Sequence, residues 1–244
     1  MAVEPPGPLS PLSDWIDWIR TVLNQIGLYS ARVNVSDNPS VGSTRRYAST
    51  RRERQAEQTR SDVLAAAVRL FANRGFAGTT LSAVADEAGV AVETVYAGFG
   101  SKKALLGAAM DVAIVGDTAP VALFDRPEAQ RIGELPDDER LPAAIAMVGR
   151  VYSGPVLGVW LAMLEAAARD PEVAGWCELH EQRRHDTVAR VLEMYEGWTP
   201  PEEVVDGMWA VGSMEVFAKL TRQRGWSMDQ WAEWIVAAFR KLRT

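Results

Sequence analysis

The feature that most constrains the fold is a pair of short helical segments, each followed by a single glycine. Residues 80–88 and 92–99 have the apolar spacing of two-turn helices, and Gly89 and Gly100 come directly after them. Glycine often follows a helix because it readily adopts the left-handed backbone that ends one. Two such helices joined by a tight turn form a helix-turn-helix. Three small residues would let the two helices pack closely: Ala83, Ala85 and Ala88.

Helical spacing continues on both sides of this pair. Upstream, a helix is predicted from about residue 51, with one apolar stripe formed by Val63, Leu64, Ala67, Leu70 and Phe71. Downstream, helices are predicted at about 101–115, 137–153, 155–168, 171–196, 201–224 and 227–243, with a loop and one short turn at 117–136. No β-alternation of useful length occurs, so the sequence predicts an all-α protein.

Residues 1–50 differ from the rest and are predicted to be an N-terminal extension. Residues 13–30 have apolar side chains on one face and polar side chains on the other, which predicts an amphipathic helix. Residues 31–50 have no period and predict a linker that ends in a basic arm.

The apolar face of the 13–30 helix is expected to be buried against another surface. It can dock on its own body, across a dimer or on a partner protein, and packing on protein is the interpretation we favour. A membrane surface is disfavoured because Asp14 and Asp17 outweigh Arg20, so anionic lipid would repel the helix. Alternatively, translation naturally starts further downstream, and the segment is then not always made.

Charge is distributed unevenly along the chain. The net charge is -6, yet residues 45–103 carry ten bases and six acids, while the remainder carries 16 bases and 26 acids. A basic section on an acidic body indicates one end that meets a polyanion, although a solvated helix face gives the same pattern. The lone Cys177 excludes an intramolecular disulfide. Together with the lack of any long apolar run, it predicts a cytoplasmic protein with no membrane partner.

The segment Thr59–Leu106 carries a more specific signal. It contains, in order, "LF..RGF..TT", "A..AGV", "TVY..F" and "SK..LL". Over these residues the chain resembles the DNA-binding domain of the TetR, or tetracycline-repressor-like, family of bacterial transcription regulators. The stretch "EVFAKLTRQRGWSMDQWAEWI" is similar to the last two helices of some actinobacterial members.

The resemblance implies a domain plan and a function. Residues 51–100 would form a three-helix DNA-binding domain, and residues 101–244 a helical domain for ligand binding and dimerisation. A homodimer would set two recognition helices into successive major grooves of a palindromic double-stranded operator. The implied protein is a repressor released by an apolar or aromatic small molecule, with no cofactor. The alternative is a DNA-binding regulator without such a ligand, controlled by a protein partner through the N-terminal helix.

Individual DNA-contacting positions follow from the same resemblance. Thr94 and Tyr96 match hydroxyl-bearing positions that bond phosphates, and the starts of the two flanking helices add further phosphate contacts. Val92 would contact a thymine methyl and Glu93 a cytosine amino group, although Glu93 equally suits stabilisation of the helix dipole. The basic arm would follow the backbone or enter the minor groove. The predicted DNA-binding residues are Arg46, Arg51, Arg52, Thr80, Val92, Glu93, Thr94, Tyr96 and Lys102.

Three positions depart from the family pattern. Ala91 stands where a serine often caps the recognition helix, and Ala97 and Gly98 stand where aromatic or histidine residues often add phosphate contacts. These departures predict a weaker grip of the core domain on DNA, for which the basic arm would compensate.

Two sets of residues are candidates in the C-terminal part. Both also suit an ordinary core, and periodicity does not separate the two interpretations. The ligand-binding candidates are Met110, Ile114, Met147, Trp160, Met163, Trp176 and His180, and the dimerisation candidates are Trp209, Gly212, Glu215, Phe217, Trp231 and Ile235. His180 and His185 are five residues apart and so lie off a common helix face, and the sequence shows no phosphate loop or catalytic triad. A protein that is not an enzyme and holds no metal is therefore predicted.

Overall fold

A computed structural model of the chain describes residues 43–116, 123–197 and 199–243, without the side chains of residues 43–53, 125 and 196. In these residues all regular structure is helical, so the all-α prediction is confirmed. The predicted 13–30 helix and most of the predicted linker lie outside the described residues. Contacts divide the chain at Ala48, and the described core belongs to the unit Ser49–Thr244. The domain boundary expected near residue 100 stays a prediction.

The described helices are numbered here in chain order. They are α1 (Ser43–Arg74), α2 (Leu81–Ala88), α3 (Val92–Phe99), α4 (Lys102–Val115), α5 (Pro127–Ile132), α6 (Asp137–Ser153), α7 (Val156–Ala167), α8 (Pro171–Glu196), α9 (Glu202–Val211), α10 (Met214–Ala218) and α11 (Met228–Leu242). A 3-10 turn, Leu123–Asp125, precedes α5, and a π-helical turn, Lys219–Gln223, follows α10.

Helix α1 is longer than its apolar pattern indicates. It begins at Ser43 and has 32 residues, so the prediction of a linker over residues 43–50 is wrong. This stretch has no glycine or proline to prevent a helix, but it also has no apolar stripe. A prediction that relies on apolar period finds only the part of a helix that faces a core. The C-terminal part does face one, because Val63, Leu64 and Phe71 are buried.

One hydrophobic core extends from α1 through α7 to α11. Helix α7 is central to it, because eight of its 12 residues are buried, including the fully buried Trp160. It packs on α4 and α8, while α11 packs on α6 and α9. Within the described ranges, no single helix is long and apolar enough to cross a membrane, and α6 and α7 meet that test only together, across a bend of 64°.

A smaller cluster fixes α5 against α6 and α8. Ala129 and Ile132 of α5 pack with Met147 and Tyr195, and the Tyr195 hydroxyl donates to the carbonyl of Ala129 over 3.0 Å. Helix α5 is the short turn predicted within 117–136, although it is a six-residue helix with Pro127 in its first turn.

The helix predicted over 201–224 is interrupted. Helix α9 ends at Val211, and Ser213 begins α10 as an N-cap whose hydroxyl accepts from the amide of Val216 over 3.2 Å. A second irregularity follows at the π-helical turn, where the amide of Arg224 donates to the carbonyl of Lys219 over 3.2 Å. Serine favours caps over helix interiors because its hydroxyl bonds nearby backbone groups, and Gly212 lowers the helix propensity further.

Candidate nucleic-acid interface

Helices α2 and α3 form the predicted helix-turn-helix. Thr80 caps α2, because its hydroxyl accepts from the amide of Ala83 over 3.1 Å. Gly89 then adopts a left-handed backbone, φ 69°, which turns the chain into α3. Val84 and Val95 are fully buried in the core that joins the two helices. The predicted lengths are found, and of the predicted small packing residues Ala85 is buried while Ala83 and Ala88 pack half-buried against the same core.

The face of α3 turned away from this core is polar and accessible. Glu93, Thr94 and Ala97 are exposed, and Tyr96 keeps 54% of its surface in solvent. Val92 is half-buried, because it also packs against the core of its own domain. A tyrosine left this exposed gains little from folding, which is the pattern expected of a residue that serves a partner.

The ends of α3 differ in how they are held. At its start, Ala91 has an extended backbone and makes no side-chain cap, as the sequence predicts. At its end, Arg60 of α1 donates to the carbonyl of Gly98 over 3.4 Å, and its guanidinium lies 4.5 Å from the centre of the Phe99 ring. A cation at a helix C-terminus stabilises the dipole there. Arg60 thus attaches the recognition helix to α1.

Two lysines that follow the recognition helix contact the rest of the protein. The Lys102 ammonium lies 4.2 Å from the centre of the Phe76 ring, and burial lowers its pKa while the nearby Glu165 charge opposes that shift. The Lys103 ammonium binds Asp170 at 3.1 Å and also pairs with Glu172. Their charges are therefore partly neutralised or withdrawn from water at the junction of α4 with α7 and α8.

Glu165, on the otherwise apolar α7, contacts the turn between α1 and α2. Its carboxylate accepts from the amide of Phe76 over 2.8 Å and from the amide of Ala77 over 3.1 Å. A Cβ atom on Gly75 would lie 2.7 Å from the same carboxylate, so glycine permits this approach. These bonds satisfy two backbone donors of the turn between α1 and α2, and they link the C-terminal body to the helix-turn-helix.

The basic residues expected in an arm lie on the first turns of α1. The backbone of Arg46, Arg51 and Arg52 is helical, and their side chains are among those not described. The prediction of a linker is therefore wrong for Arg46, whereas Arg51 and Arg52 lie in the helix predicted from about residue 51.

The ligand-binding candidates fall into two groups. Met110, Met147, Trp160 and Met163 are buried, while Ile114, Trp176 and His180 are half-buried. Trp160 donates to Glu215 over 2.6 Å, and its ring centre lies 4.9 Å from that of His180, whose pKa burial lowers. Ile114 and Met147 instead line a groove of about 650 Å³ at the ends of α4 and α6. The predicted residues are thus not gathered around one cavity.

Half of the dimerisation candidates belong to the protomer's own interior. Phe217, Trp231 and Ile235 are buried, and the first two rings meet edge to face at 5.1 Å. Because these side chains are covered by their own chain, they present no surface to a partner, and the expectation that they do is wrong. The remaining three candidates are half-buried: Trp209, Gly212 and Glu215.

Other side chains of α8 and α11 are exposed and apolar. They are Leu179, Met194, Trp234 and Leu242. Leu179 and Met194 lie about 60° apart around α8, on one face, at 100° per residue. Trp234 packs edge to face with Trp226 at 6.0 Å beside a shallow surface pocket.

Sequence reasoning missed Arg60 and Glu165 as positioning residues. Glu165 had a signal, because it is the single charge in "VLGVWLAMLEAA". A single acid in an otherwise apolar helix marks a position that does not face the core and can meet a polar partner. The sequence has no comparable signal for Arg60, because exposed arginines are common along α1.

The comparisons with known proteins agree with this geometry. Residues 63–109, from α1 to α4, match the family model described as bacterial regulatory proteins, tetR family. The HTH-type transcriptional regulator TcmR of Streptomyces glaucescens is 27% identical over 166 residues, which is 66% of this chain and 70% of that protein.

Two solved structures share the fold. A TetR-like transcriptional regulator from Rhodococcus sp. RHA1 has a TM-score of 0.52 at 21% identity, covering 74% of this chain and 92% of that one. A protein described as a transcriptional regulator from Pseudomonas aeruginosa PAO1 has a TM-score of 0.58 at 19% identity, covering 78% and 90%. With the family match over residues 63–109, they show that the chain has the fold of these regulators and a helix-turn-helix segment similar to that of the tetR family.

Proposed function

We propose that this chain is a homodimeric repressor that acts in the cytoplasm and is released from its operator by a small molecule. The observation that carries the DNA-binding part is the accessible face of α3, with Glu93, Thr94 and Tyr96 exposed on one helix. An α-helix fits the major groove of B-form DNA, and hydroxyl and carboxylate groups there reach phosphates and base edges.

Roles on this face divide between positioning and reading. Thr94 and Tyr96 donate to phosphates, assisted by the Thr80 hydroxyl, and these contacts fix register rather than sequence. Glu93 accepts from a cytosine amino group, and the accessible part of Val92 contacts a thymine methyl. The positive charge of Lys102 attracts the phosphate backbone of the DNA. This attraction is weakened because the ammonium also lies over the Phe76 ring.

The remaining positive charge comes from α1. Its first turns carry Arg46, Arg51 and Arg52. The same helix contacts the helix-turn-helix through the hydrogen bond from Arg60 to the carbonyl of Gly98. Contacts between guanidinium groups and phosphates release counterions from the duplex, which makes the affinity depend on salt.

Two connections allow a ligand in the body to change DNA binding. Helix α4 begins at Lys102, directly after the recognition helix, and α7 contacts the α1–α2 turn through Glu165. A ligand that prefers an altered position of α4 or α7 therefore shifts the protein toward arrangements in which the two recognition helices no longer match successive grooves.

The dimer uses the exposed faces of α8 and α11. Leu179 and Met194 on α8, and Trp234 and Leu242 on α11, are large apolar side chains in solvent. A dimer that buries them removes four large apolar side chains from water.

The DNA-binding proposal is tested with an operator obtained by footprinting the DNA around the protein's own gene. Tyr96→Phe removes one exposed hydroxyl and leaves the ring, so folding is unaffected while each half-site loses a phosphate bond. A hydrogen bond to a charged group contributes about 1.5–3 kcal/mol, so we expect at least a tenfold loss of affinity by fluorescence anisotropy. Thr199→Ala, an exposed hydroxyl before α9, is the control. Equal affinity of both variants would exclude a phosphate bond from the Tyr96 hydroxyl.

The ligand part is tested by thermal shift with a panel of apolar and aromatic compounds. A compound that binds only the folded protein raises the melting temperature. Compounds that raise it should also weaken operator binding. If no compound raises the melting temperature, the alternative that a protein partner controls this regulator gains support.

A further inference from the structure

A groove of about 650 Å³ opens between the C-terminal ends of α4 and α6 and the short helix α5. Its volume is in the range of sites for drug-sized molecules and too small for a folded partner. Apolar side chains from three elements form its floor: Ile114, Leu123, Met147 and Val151. This floor would accommodate the body of an apolar ligand.

The rim of the groove is cationic. Arg126, Arg131 and Arg150 line it, together with a single carboxylate, Glu128. The excess of arginine stands out because the chain outside residues 45–103 carries 16 bases and 26 acids. The Nε atom of Arg131 donates to the carbonyl of Pro127 over 3.2 Å, which holds its guanidinium at the groove.

We propose that this groove binds a small organic anion with an apolar body, such as an aromatic or aliphatic carboxylate or sulfonate. Guanidinium groups present paired donors that match such oxyanions, and the apolar floor takes the rest of the molecule. The proposal rests on the proposed function, since it names the chemical class of the releasing ligand. It also relocates the ligand site from Trp160 and His180 to the region of Ile114 and Met147.

The position of the groove suits a regulatory ligand. One wall is the last turn of α4, the helix that begins directly after the recognition helix. Another is the end of α6, which continues through Pro155 into α7, the helix that carries Glu165. An occupant that spreads these walls acts on both connections to the helix-turn-helix.

Two fluorescent probes with almost the same apolar body test the charge requirement. One is 8-anilinonaphthalene-1-sulfonate, which is anionic, and the other is N-phenyl-1-naphthylamine, which lacks the sulfonate. Each is titrated into the full-length protein and into Arg131→Ala/Arg150→Ala. The control is Arg222→Ala, which removes an exposed arginine of the π-helical turn away from the groove. Circular dichroism confirms that every variant is folded.

We expect the sulfonate to bind the wild type and Arg222→Ala more tightly than the neutral probe. The double variant should bind the sulfonate about tenfold more weakly and the neutral probe unchanged, because only charge-assisted contacts are lost. Equal binding of both probes, or equal sulfonate binding by the double variant, would overturn the proposal.

Operator binding, measured in parallel, separates this proposal from the proposed function. Sulfonate bound through the arginines without loss of operator affinity would support the groove and count against ligand release. Loss of operator affinity caused by the neutral probe, with no effect of the arginines, would support ligand release and overturn the anionic groove.

Discussion

Replacing Glu165 with alanine tests whether α7 holds the start of the helix-turn-helix. The carboxylate accepts from the amides of Phe76 and Ala77 at 2.8 and 3.1 Å. Bonds from amides to a charged acceptor contribute about 1.5–3 kcal/mol each, but Glu165 is exposed and water can replace it. A loss of about 1 kcal/mol per bond, or about 2 kcal/mol in total, is therefore expected. For a chain of this size that lowers the melting temperature by about 4–8 °C.

The assay compares four proteins at one concentration, because dimer formation makes the melting temperature depend on concentration. Glu165→Gln keeps one acceptor oxygen without charge and should lose about half as much stability as Glu165→Ala. Glu178→Ala, an exposed acid on α8, should change the free energy of unfolding by less than about 0.5 kcal/mol.

Amide hydrogen exchange gives a local measurement of the same contact. The amides of Phe76 and Ala77 should lose protection in Glu165→Ala, while those inside α2 keep theirs. Unchanged protection at both amides, together with a melting temperature equal to that of Glu178→Ala, would refute the reasoning.

Two further predictions concern backbone positions. Gly158→Ala should destabilise the protein by about 1–3 kcal/mol in urea unfolding, because its Cβ would lie 2.5 Å from the Ala72 carbonyl oxygen and force α7 away from α1. The matched change Gly175→Ala meets open space inside α8 and should stabilise by about 0.5–1 kcal/mol, so equal effects would contradict the close approach. Ala91→Ser should stabilise by about 0.5–1 kcal/mol, because Ala91 already has the extended backbone of an N-cap and lacks only the side-chain acceptor. An unaltered melting temperature would mean that no cap forms.

The helices that could be predicted were those with an end signal and a buried stripe. Thr80, Ser101 and Ser227 all cap helices through their hydroxyls, as a local sequence pattern indicates. The start of α1 was missed because an exposed helix segment has no apolar period. The break at Gly212 and Ser213 was missed because one glycine inside a helical pattern does not by itself end a helix.

The site was less predictable than the fold, because its contacts join residues far apart in sequence. Lys102 looked available to DNA, yet Phe76 lies 26 residues before it and approaches its ammonium. Trp231 and Ile235 have a helical spacing, but spacing shows that a face is apolar and not what covers it. Only the packing of α11 on α6 and α9 assigns that face to the protomer's own core.

The contact of Glu165 with backbone amides has a consequence for how regulators of this kind diverge. Every residue except proline supplies a backbone N–H, so the side chains at Phe76 and Ala77 can change without loss of these two bonds. Selection for them would then keep Glu165 and Gly75, whose lack of a Cβ atom permits the approach, and would not act on the side chains of the two donor residues. Co-variation between positions reports contacts in which both partners must change together. A search for co-varying pairs would therefore overlook the connection between the two functional halves of this protein.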